Sequence, residues 1–469
     1  MRTQFKERKR IMKKPNILWI MTDQQNDKMM SCAGNTWIKT PNMDYLAQEG
    51  VRFTESYCTN PVCLPSRFSL FTGHYPGDIG LKSNDYCSEV ERLPKRLLTD
   101  GLGKKLKEAG YEAVYGGKEH LPHMCAADLG FDYICSDERG ELADTCAKYI
   151  RDYKKEEPFA MVASFINPHD ICLMAISDFA KQSGPAEQML AEELITETET
   201  VHEAMRIPEG MHPDVFYRTI CPTLPKNYEP AADEPEAIRI MQEQRRFKKL
   251  AREQYTDERW RLHRWAYGKL TEKVDGEIGR LLCALKDSGK WEDTVIIFTS
   301  DHGDMDAAHK MEHKTALYQE CCKVPLIIKG ISGPGNEVSS SLTVNGLDLI
   351  CTVMDYAGIE KPDHLEGISL KREAEGESDG ISERKERECV IVESEFGIAA
   401  VGRSGKYVRY SCGKNNEQFY DLTVNPGEDH DQMSEEKYRE EAEKLKKAAE
   451  LHITLREDRR KKLQCIPMY

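Results

Sequence analysis

The chain has 469 residues, a length suited to two domains or to one large domain with an appendage. Hydrophobic residues make up 39% and charged residues 31%, with a formal net charge of −14, so a core lies under a heavily charged acidic surface and a nucleic-acid partner is not expected. No window approaches the ~20 apolar residues of a membrane span, and the apolar run Ile17 to Met21 is too short for a signal-peptide core of ~7–15 residues; the expected location is the cytoplasm, without membrane attachment.

In chain order, Asn16 to Met21 is a short apolar run that ends at Thr22-Asp23-Gln24-Gln25. Leu97 to Ala109, closed by Gly110, has the pattern of a helix. Ala160 to Ile166 is a second apolar run, ending at Asn167-Pro168-His169-Asp170, and Thr294 to Thr299 is a third, ending at Ser300-Asp301-His302-Gly303-Asp304. Such β-branched runs closed by polar residues predict buried strands of a parallel or mixed sheet. Between them Trp265, Val274, Ile278, Leu281 and Leu285 keep a helical spacing that stops at Ser288-Gly289. Alternating strands and helices predict an α/β fold, whose ligands gather beyond the carboxyl ends of the strands.

Residues 171–260 combine acidic runs, prolines and the basic segment Arg245-Arg246-Phe247-Lys248-Lys249, which reads as a partly helical insertion that shapes a pocket or decorates the surface. A charged linker follows Leu370. Val390 to Glu393, Ile398 to Val401 and Lys406 to Tyr410 then read as short strands, and Glu435 to Glu450 as a charged helix. The expected division is a catalytic domain over 1–375 and a smaller C-terminal subdomain over 376–469. The 16 cysteines contain no Cys-x-x-Cys pair, which excludes zinc ribbons and thioredoxin-type sites and predicts reduced thiols.

One cysteine stands apart. In Cys63-Leu64-Pro65-Ser66-Arg67, Pro65 fits the first turn of a helix, which places Cys63 at the helix N-terminus where backbone donors favour an anion. Arg67, four residues on, lies on the same face. Taken alone, the segment reads as a buried thiol at a helix start before it reads as a nucleophile.

The segment Cys63-Leu-Pro-Ser-Arg67, followed by Thr72-Gly73, resembles the sulfatase signature Cys-x-Pro-Ser-Arg, with Phe71 where Leu or Met is usual. Further segments resemble the same family: Pro15-Asn-Ile-Leu-Trp-Ile-Met-Thr-Asp23-Gln24, Thr40-Pro-Asn-Met-Asp44, Gly117-Lys118-Glu119-His120-Leu121, Ser300-Asp301-His302-Gly303-Asp304 and Phe419-Tyr420-Asp421-Leu422. The resemblance implies an alkaline phosphatase-like fold: a large mixed sheet flanked by helices, plus a smaller C-terminal antiparallel sheet with a helix.

It also implies a chemistry. Cys63 would be oxidised to formylglycine by a sulfatase-maturating (formylglycine-generating) enzyme, and the hydrated aldehyde would attack sulfur. A divalent metal would sit on Asp23, Gln24, Asp301, His302 and the modified Cys63. Gln24 stands where Asp is common and His302 where Asn is common; Ca²⁺ is favoured, with Mg²⁺ or Mn²⁺ open. Lys118, Lys314 and Arg67 would hold the sulfate oxygens, His120 would bond the formylglycine diol, and His169, helped by Lys314, would protonate the leaving alcohol. His309 is expected to line the pocket. The expected substrate is a small sulfated compound, preferably a sugar. The competing readings are a phosphonate monoester or phosphodiester hydrolase of the same superfamily, and a non-catalytic anion-binding relative.

Overall fold

The computed structural model describes residues 14–182, 184, 195–377 and 387–464. Its strands are β1 (Asn16–Asp23), β2 (Val51–Phe53), β3 (Ser56–Tyr57), β4 (Glu112–Gly117), β5 (Asp132–Cys135), β6 (Phe159–Pro168), β7 (Thr294–Ser300), β8 (Leu326–Lys329), β9 (Glu337–Ser339), β10 (Thr343–Val344), β11 (Val390–Ser394), β12 (Gly397–Val401), β13 (Gly405–Tyr410) and β14 (Glu417–Asp421). Eight of them form one sheet in the order β5-β4-β6-β1-β7-β8-β2-β9. The β5-β4-β6-β1-β7 stretch is parallel, and β8 runs antiparallel to both β7 and β2. β1, β6 and β7 are apolar along nearly their whole length because the sheet is covered on both faces. One core cluster holds Ile17, Trp19, Val162, Val295 and Ile297; the opposite face holds Leu18, Ile20, Met161, Ile296 and Phe298.

The helices that matter for the site are α1 (Cys63–Thr72), α2 (Leu142–Asp152), α3 (Cys172–Lys181), α4 (Arg246–Gln254), α5 (Asp257–Asp287), α6 (Asn345–Ala357) and α7 (Arg439–Gln464). α5 buries Val274, Ile278, Leu281 and Leu285 at the expected spacing and ends at Ser288, with Gly289 in the left-handed region. The helix expected over Leu97 to Ala109 is instead two short ones, Lys95–Thr99 and Leu102–Glu108. The break falls at Gly101, where a Cβ would lie 2.7 Å from the Leu129 carbonyl oxygen; the chain opens there to pass the backbone of another segment.

β11 to β14 make a four-stranded antiparallel sheet, one strand more than expected, and α7 is longer than the predicted Glu435 to Glu450. The 171–260 stretch contains α3, α4, the start of α5 and other short helices. A large mixed sheet flanked by helices, with a small antiparallel sheet beside it, is the alkaline phosphatase-like architecture.

Candidate active site

Four adjacent strands deliver the site. Asp23 is the last residue of β1, and Asp301 and His302 directly follow β7. Lys118 follows β4 and His169 follows β6. Since β4, β6, β1 and β7 are neighbours and parallel, all four carboxyl ends open onto one crevice. Gly117 makes the turn into Lys118 at φ +90°, and a Cβ there would sit 2.1 Å from the Ser164 carbonyl oxygen, so only glycine fits.

α1 brings Cys63 to this crevice. Cys63 is its first residue and Pro65 lies in its first turn, where no intrahelical N–H is needed. Every residue of α1 is buried, and Gly73 closes it in the left-handed conformation. Cys63 Sγ stands where a formylglycine oxygen would lie. It is 2.8 Å from Lys314 Nζ, 3.1 Å from His302 Nε2 and 3.5 Å from Asp23 Oδ1, and it also bonds His169. Burial and the Asp23 charge push the thiol up, yet Lys314, Lys118 and His302 together hold it well below the ordinary cysteine range.

Donor atoms of Asp23, Cys63, Asp301 and His302 all lie within 4.8 Å of one another, and all four residues are buried. Two carboxylates, an imidazole nitrogen and the position of Cys63 fit a divalent cation. His302 offers Nε2 to the cluster because its Nδ1 faces the Gly303 carbonyl at 2.8 Å. Gln24, the fifth expected ligand, has its amide directed elsewhere: Nε2 donates to Asp304 (2.7 Å) and Oε1 accepts from the Cys172 thiol (3.1 Å). Its backbone N–H donates to Asp301 Oδ1 at 3.0 Å.

Arg67 requires a correction. Expected as a fork on sulfate, it is fully buried and directed at the protein. Nε donates to Asp301 Oδ2 (2.8 Å), Nη2 to Asp23 Oδ2 (3.1 Å), and Nη1 to both Ser164 Oγ (2.8 Å) and the Lys118 carbonyl (2.9 Å). It braces the two carboxylates from behind. Lys118 Nζ lies 2.7 Å from Asp23 Oδ2, with a side chain 11% exposed. Against the upward push of burial, Lys118, then His169, Arg67 and Lys314, hold Asp23 well below the usual carboxylate range. Asp301 is pushed up by burial and by Asp23 beside it.

His169 is pushed down to about 4, by burial first and then by Lys314 and Lys118. Lys314 is held above the ordinary lysine range, because Cys63, Cys172 and Asp23 outweigh its burial. His120 is half-buried at φ +50°, and its Nδ1 is buried without a hydrogen-bond partner. His309 is buried and stacks on Tyr318 with ring centroids 4.1 Å apart, and its backbone N–H donates to the Asn227 carbonyl. Its contacts are with Tyr318, Asn227 and Glu320 rather than with the Cys63 cluster.

Three residues of the site were not singled out from the sequence. Ser164, which accepts from Arg67, was legible as the one polar residue inside the apolar run Ala160 to Ile166. Lys248, from α4 in the insertion, is 4% exposed and donates to the Lys314 carbonyl at 2.8 Å; burial pushes its ammonium down to about 8. His313 is buried, bonded to Glu312, and its ring lies 5.0 Å from that of Phe247. Nothing in a charged run such as Arg245 to Lys249 marks which lysine turns inward.

Residues 15–359 match the sulfatase family model, and residues 307–454 match that of the N-sulphoglucosamine sulphohydrolase C-terminal region. The chain is 30% identical to the uncharacterized sulfatase YidJ of Escherichia coli over 377 residues, covering 76% of this chain and 71% of that protein. It is 29% identical to a delta 4,5-hexuronate-2-O-sulfatase of Bacteroides thetaiotaomicron, covering 91% and 86%. Among solved structures, a 2-O GAG sulfatase superposes with a TM-score of 0.78 at 25% identity, covering 95% of this chain and 93% of that one. The phosphonate monoester hydrolase of Agrobacterium radiobacter shares the fold, with a TM-score of 0.68 at 21% identity and coverage of 95% and 96%. Sequence motif, sheet topology and strand-end cluster agree with these matches: the chain belongs to the sulfatase family and is a sulfuric ester hydrolase.

Proposed function

We propose that this enzyme hydrolyses the sulfate ester of a small sulfated carbohydrate, using a formylglycine made from Cys63 by a maturating enzyme and a divalent cation held by Asp23, Asp301 and His302. The observation that carries this reading is the convergence on Cys63 of Lys314, His302, His169 and Asp23 at the ends of adjacent parallel strands. Ca²⁺ is favoured by the two carboxylates; Mg²⁺ and Mn²⁺ are open, Mn²⁺ being the one the imidazole suits better. The bound cation would lower the pKa of the nucleophilic hydroxyl and offset the charge that develops on sulfate.

The chain's own residues do the rest. Lys118 and Lys314 each place an ammonium at the rim of the cluster, where they hold sulfate oxygens and stabilise charge in an in-line displacement. Arg67 fixes the two carboxylates relative to Cys63. His169 is uncharged at neutral pH in the free enzyme; an arriving sulfate ester sets negative charge against it, raises its proton affinity and prepares it to donate to the leaving oxygen. Lys314 stays protonated throughout and supports the same step. His120, with an unpartnered Nδ1, takes the proton when sulfate is released.

The test is a pair of measurements on protein purified from its own host. Mass spectrometry of the peptide containing Cys63 should find the aldehyde. Sulfated monosaccharides should be cleaved faster than aryl phosphonate monoesters, with activity lost to a chelator and restored by Ca²⁺ or Mn²⁺. A thiol throughout at Cys63, or a dominant phosphonate rate, would sink the proposal. The support for carbohydrate over other alcohols comes from the matched relatives, of which one acts on a hexuronate.

A further inference from the structure

We propose that Lys248, carried in by the 171–260 insertion, is a positioning residue for sulfate: it seats Lys314 against Cys63 and adds a second positive charge behind it, without touching the substrate. This rests on the role of Lys314 in holding sulfate and adds what the insertion contributes to it.

The geometry begins on α4. Lys248 and Ala251, three residues apart, are buried on one face of that helix, while Lys249 between them is exposed. α4 packs on α3, which starts three residues after His169. Two consecutive residues of α4 then grip two consecutive residues of the Lys314 segment. The Phe247 ring lies 5.0 Å from that of His313, and Lys248 Nζ donates to the Lys314 carbonyl at 2.8 Å. β11 braces the other side. Ser394 Oγ donates to the Thr315 carbonyl (2.9 Å), Glu393 N–H to the Thr59 carbonyl (2.8 Å), and Thr315 N–H to the Pro61 carbonyl (2.9 Å). The backbone that carries Lys314 is thus fixed between the insertion and the residues ahead of Cys63, and its Nζ ends 2.8 Å from Cys63 Sγ.

The charges are unevenly matched. Arg67 bridges Asp23 and Asp301, and Lys118 pairs with Asp23, so both carboxylates are answered. Lys314 and Lys248 are not: among the described residues no carboxylate oxygen comes within 4.0 Å of either ammonium. The acids near Lys248 are committed elsewhere, Glu312 to His313 and Glu395 to Arg245. A buried ammonium with one carbonyl for a partner lowers stability, because water solvates it better. Burial pushes Lys248 down to about 8, which leaves it charged at neutral pH; His313 is held well below the ordinary histidine range by burial first, then by Lys248 and Lys314. An anion at Lys314 reverses the sign of the effect. The same charge that is unfavourable in the empty site attracts sulfate through an interior with little water to screen it.

The test uses the matured full-length enzyme and two variants. Lys248→Gln keeps a donor for the Lys314 carbonyl and removes the charge; Lys248→Met removes both. Affinity for inorganic sulfate is measured by titration calorimetry, and the thermal midpoint is measured without sulfate. Lys248→Gln should bind sulfate about tenfold more weakly, with a midpoint at or above that of wild type, and Lys248→Met should bind it at least as weakly. On 4-nitrophenyl sulfate kcat/KM should fall in parallel, mainly through KM. Sulfate affinity within twofold of wild type in Lys248→Gln would overturn the proposal, and so would a midpoint below wild type in both variants, which would make the lysine merely structural. A wild-type enzyme with no affinity for sulfate would overturn the placement of sulfate at Lys314 itself.

Discussion

Asp23 and Asp301 are fully buried beside each other, and two carboxylates in that position repel. The Arg67 guanidinium bridges them, with its remaining bonds on Ser164 and the Lys118 carbonyl. Removing one partner of a buried ion pair leaves an uncompensated charge and costs about 3–5 kcal/mol. Arg67→Met should therefore destabilise the metal-free protein by about that amount in urea denaturation, and saturating Ca²⁺ should narrow the deficit because the cation offsets the same two charges. Arg67→Lys keeps a charge but loses the fork, and should fall between the two. A deficit that Ca²⁺ does not change would refute the bracing role. The spacing of Cys63 and Arg67 made their shared helix face legible in the sequence. The destination of the guanidinium was not, because it depends on Ser164 and Lys118, which arrive from strands about 100 and 50 residues away in the chain.

At the scale of the element, the strand ends were the most legible feature. Asp23, His169 and Asp301 each follow an apolar run, and the parallel order β6-β1-β7 turns that shared position into a shared crevice. Long periodic helices were legible for the same reason, since burial of one face sets the spacing. Failures came where a second segment intervenes: the expected helix over Leu97 to Ala109 breaks where Gly101 passes Leu129. α5 carries a further consequence. Its Glu277, 7% exposed, has a carboxyl pushed up to about 7, by burial above all; Lys273 and Arg280 on the same helix oppose the shift, and Asp170 and Asp137 reinforce it. A carboxyl whose folded pKa exceeds its unfolded one binds its proton more tightly in the native state. Its contribution is favourable in acid and is lost as pH rises from about 4.3 through 7. Glu277→Gln should match wild type in thermal midpoint near pH 4.5 and exceed it at pH 8. At about 1.4 kcal/mol per pH unit the gain is on the order of 3–4 kcal/mol. A difference that does not change with pH would show that Glu277 is solvated or paired in the native state.

Across the whole molecule, the C-terminal sheet shares its interior with the loops and short strands that surround the Cys63 cluster. A single hydrophobic cluster joins Tyr57, Met305, Leu317, Tyr318 and Cys321 of the catalytic part to Val392, Ile398, Tyr407, Phe419 and Leu445 of the C-terminal part. The sequence separated these parts at 375 because a charged, glycine-containing linker interrupts the apolar pattern there. A linker marks a break in the chain, not in the core, and no local pattern reports packing between residues three hundred positions apart. A buried ion pair and a charge-assisted hydrogen bond cross the same boundary. Glu393 of β11 accepts from the Gly77 N–H (2.7 Å) and is paired with His452 and Arg456 of α7, and Arg459 of α7 reaches Asp78 at 2.8 Å. Two units with a common core and shared buried charges unfold together, because separating them exposes apolar surface on both and strands Asp78 without Arg459. The intact chain should give one calorimetric transition, with the enthalpy from its width equal to the enthalpy from its area. Glu393→Ala should lower that midpoint as a whole, not split it, since the lost bonds lie at the junction. A resolved early transition retaining the α/β sheet, in wild type or in the variant, would mean that the C-terminal part has a stability of its own. In that case the bonds from Glu393 and Ser394 to the loops around Cys63 and Lys314 open without unfolding the α/β sheet, and Cys63 loses its wall before the protein loses its fold.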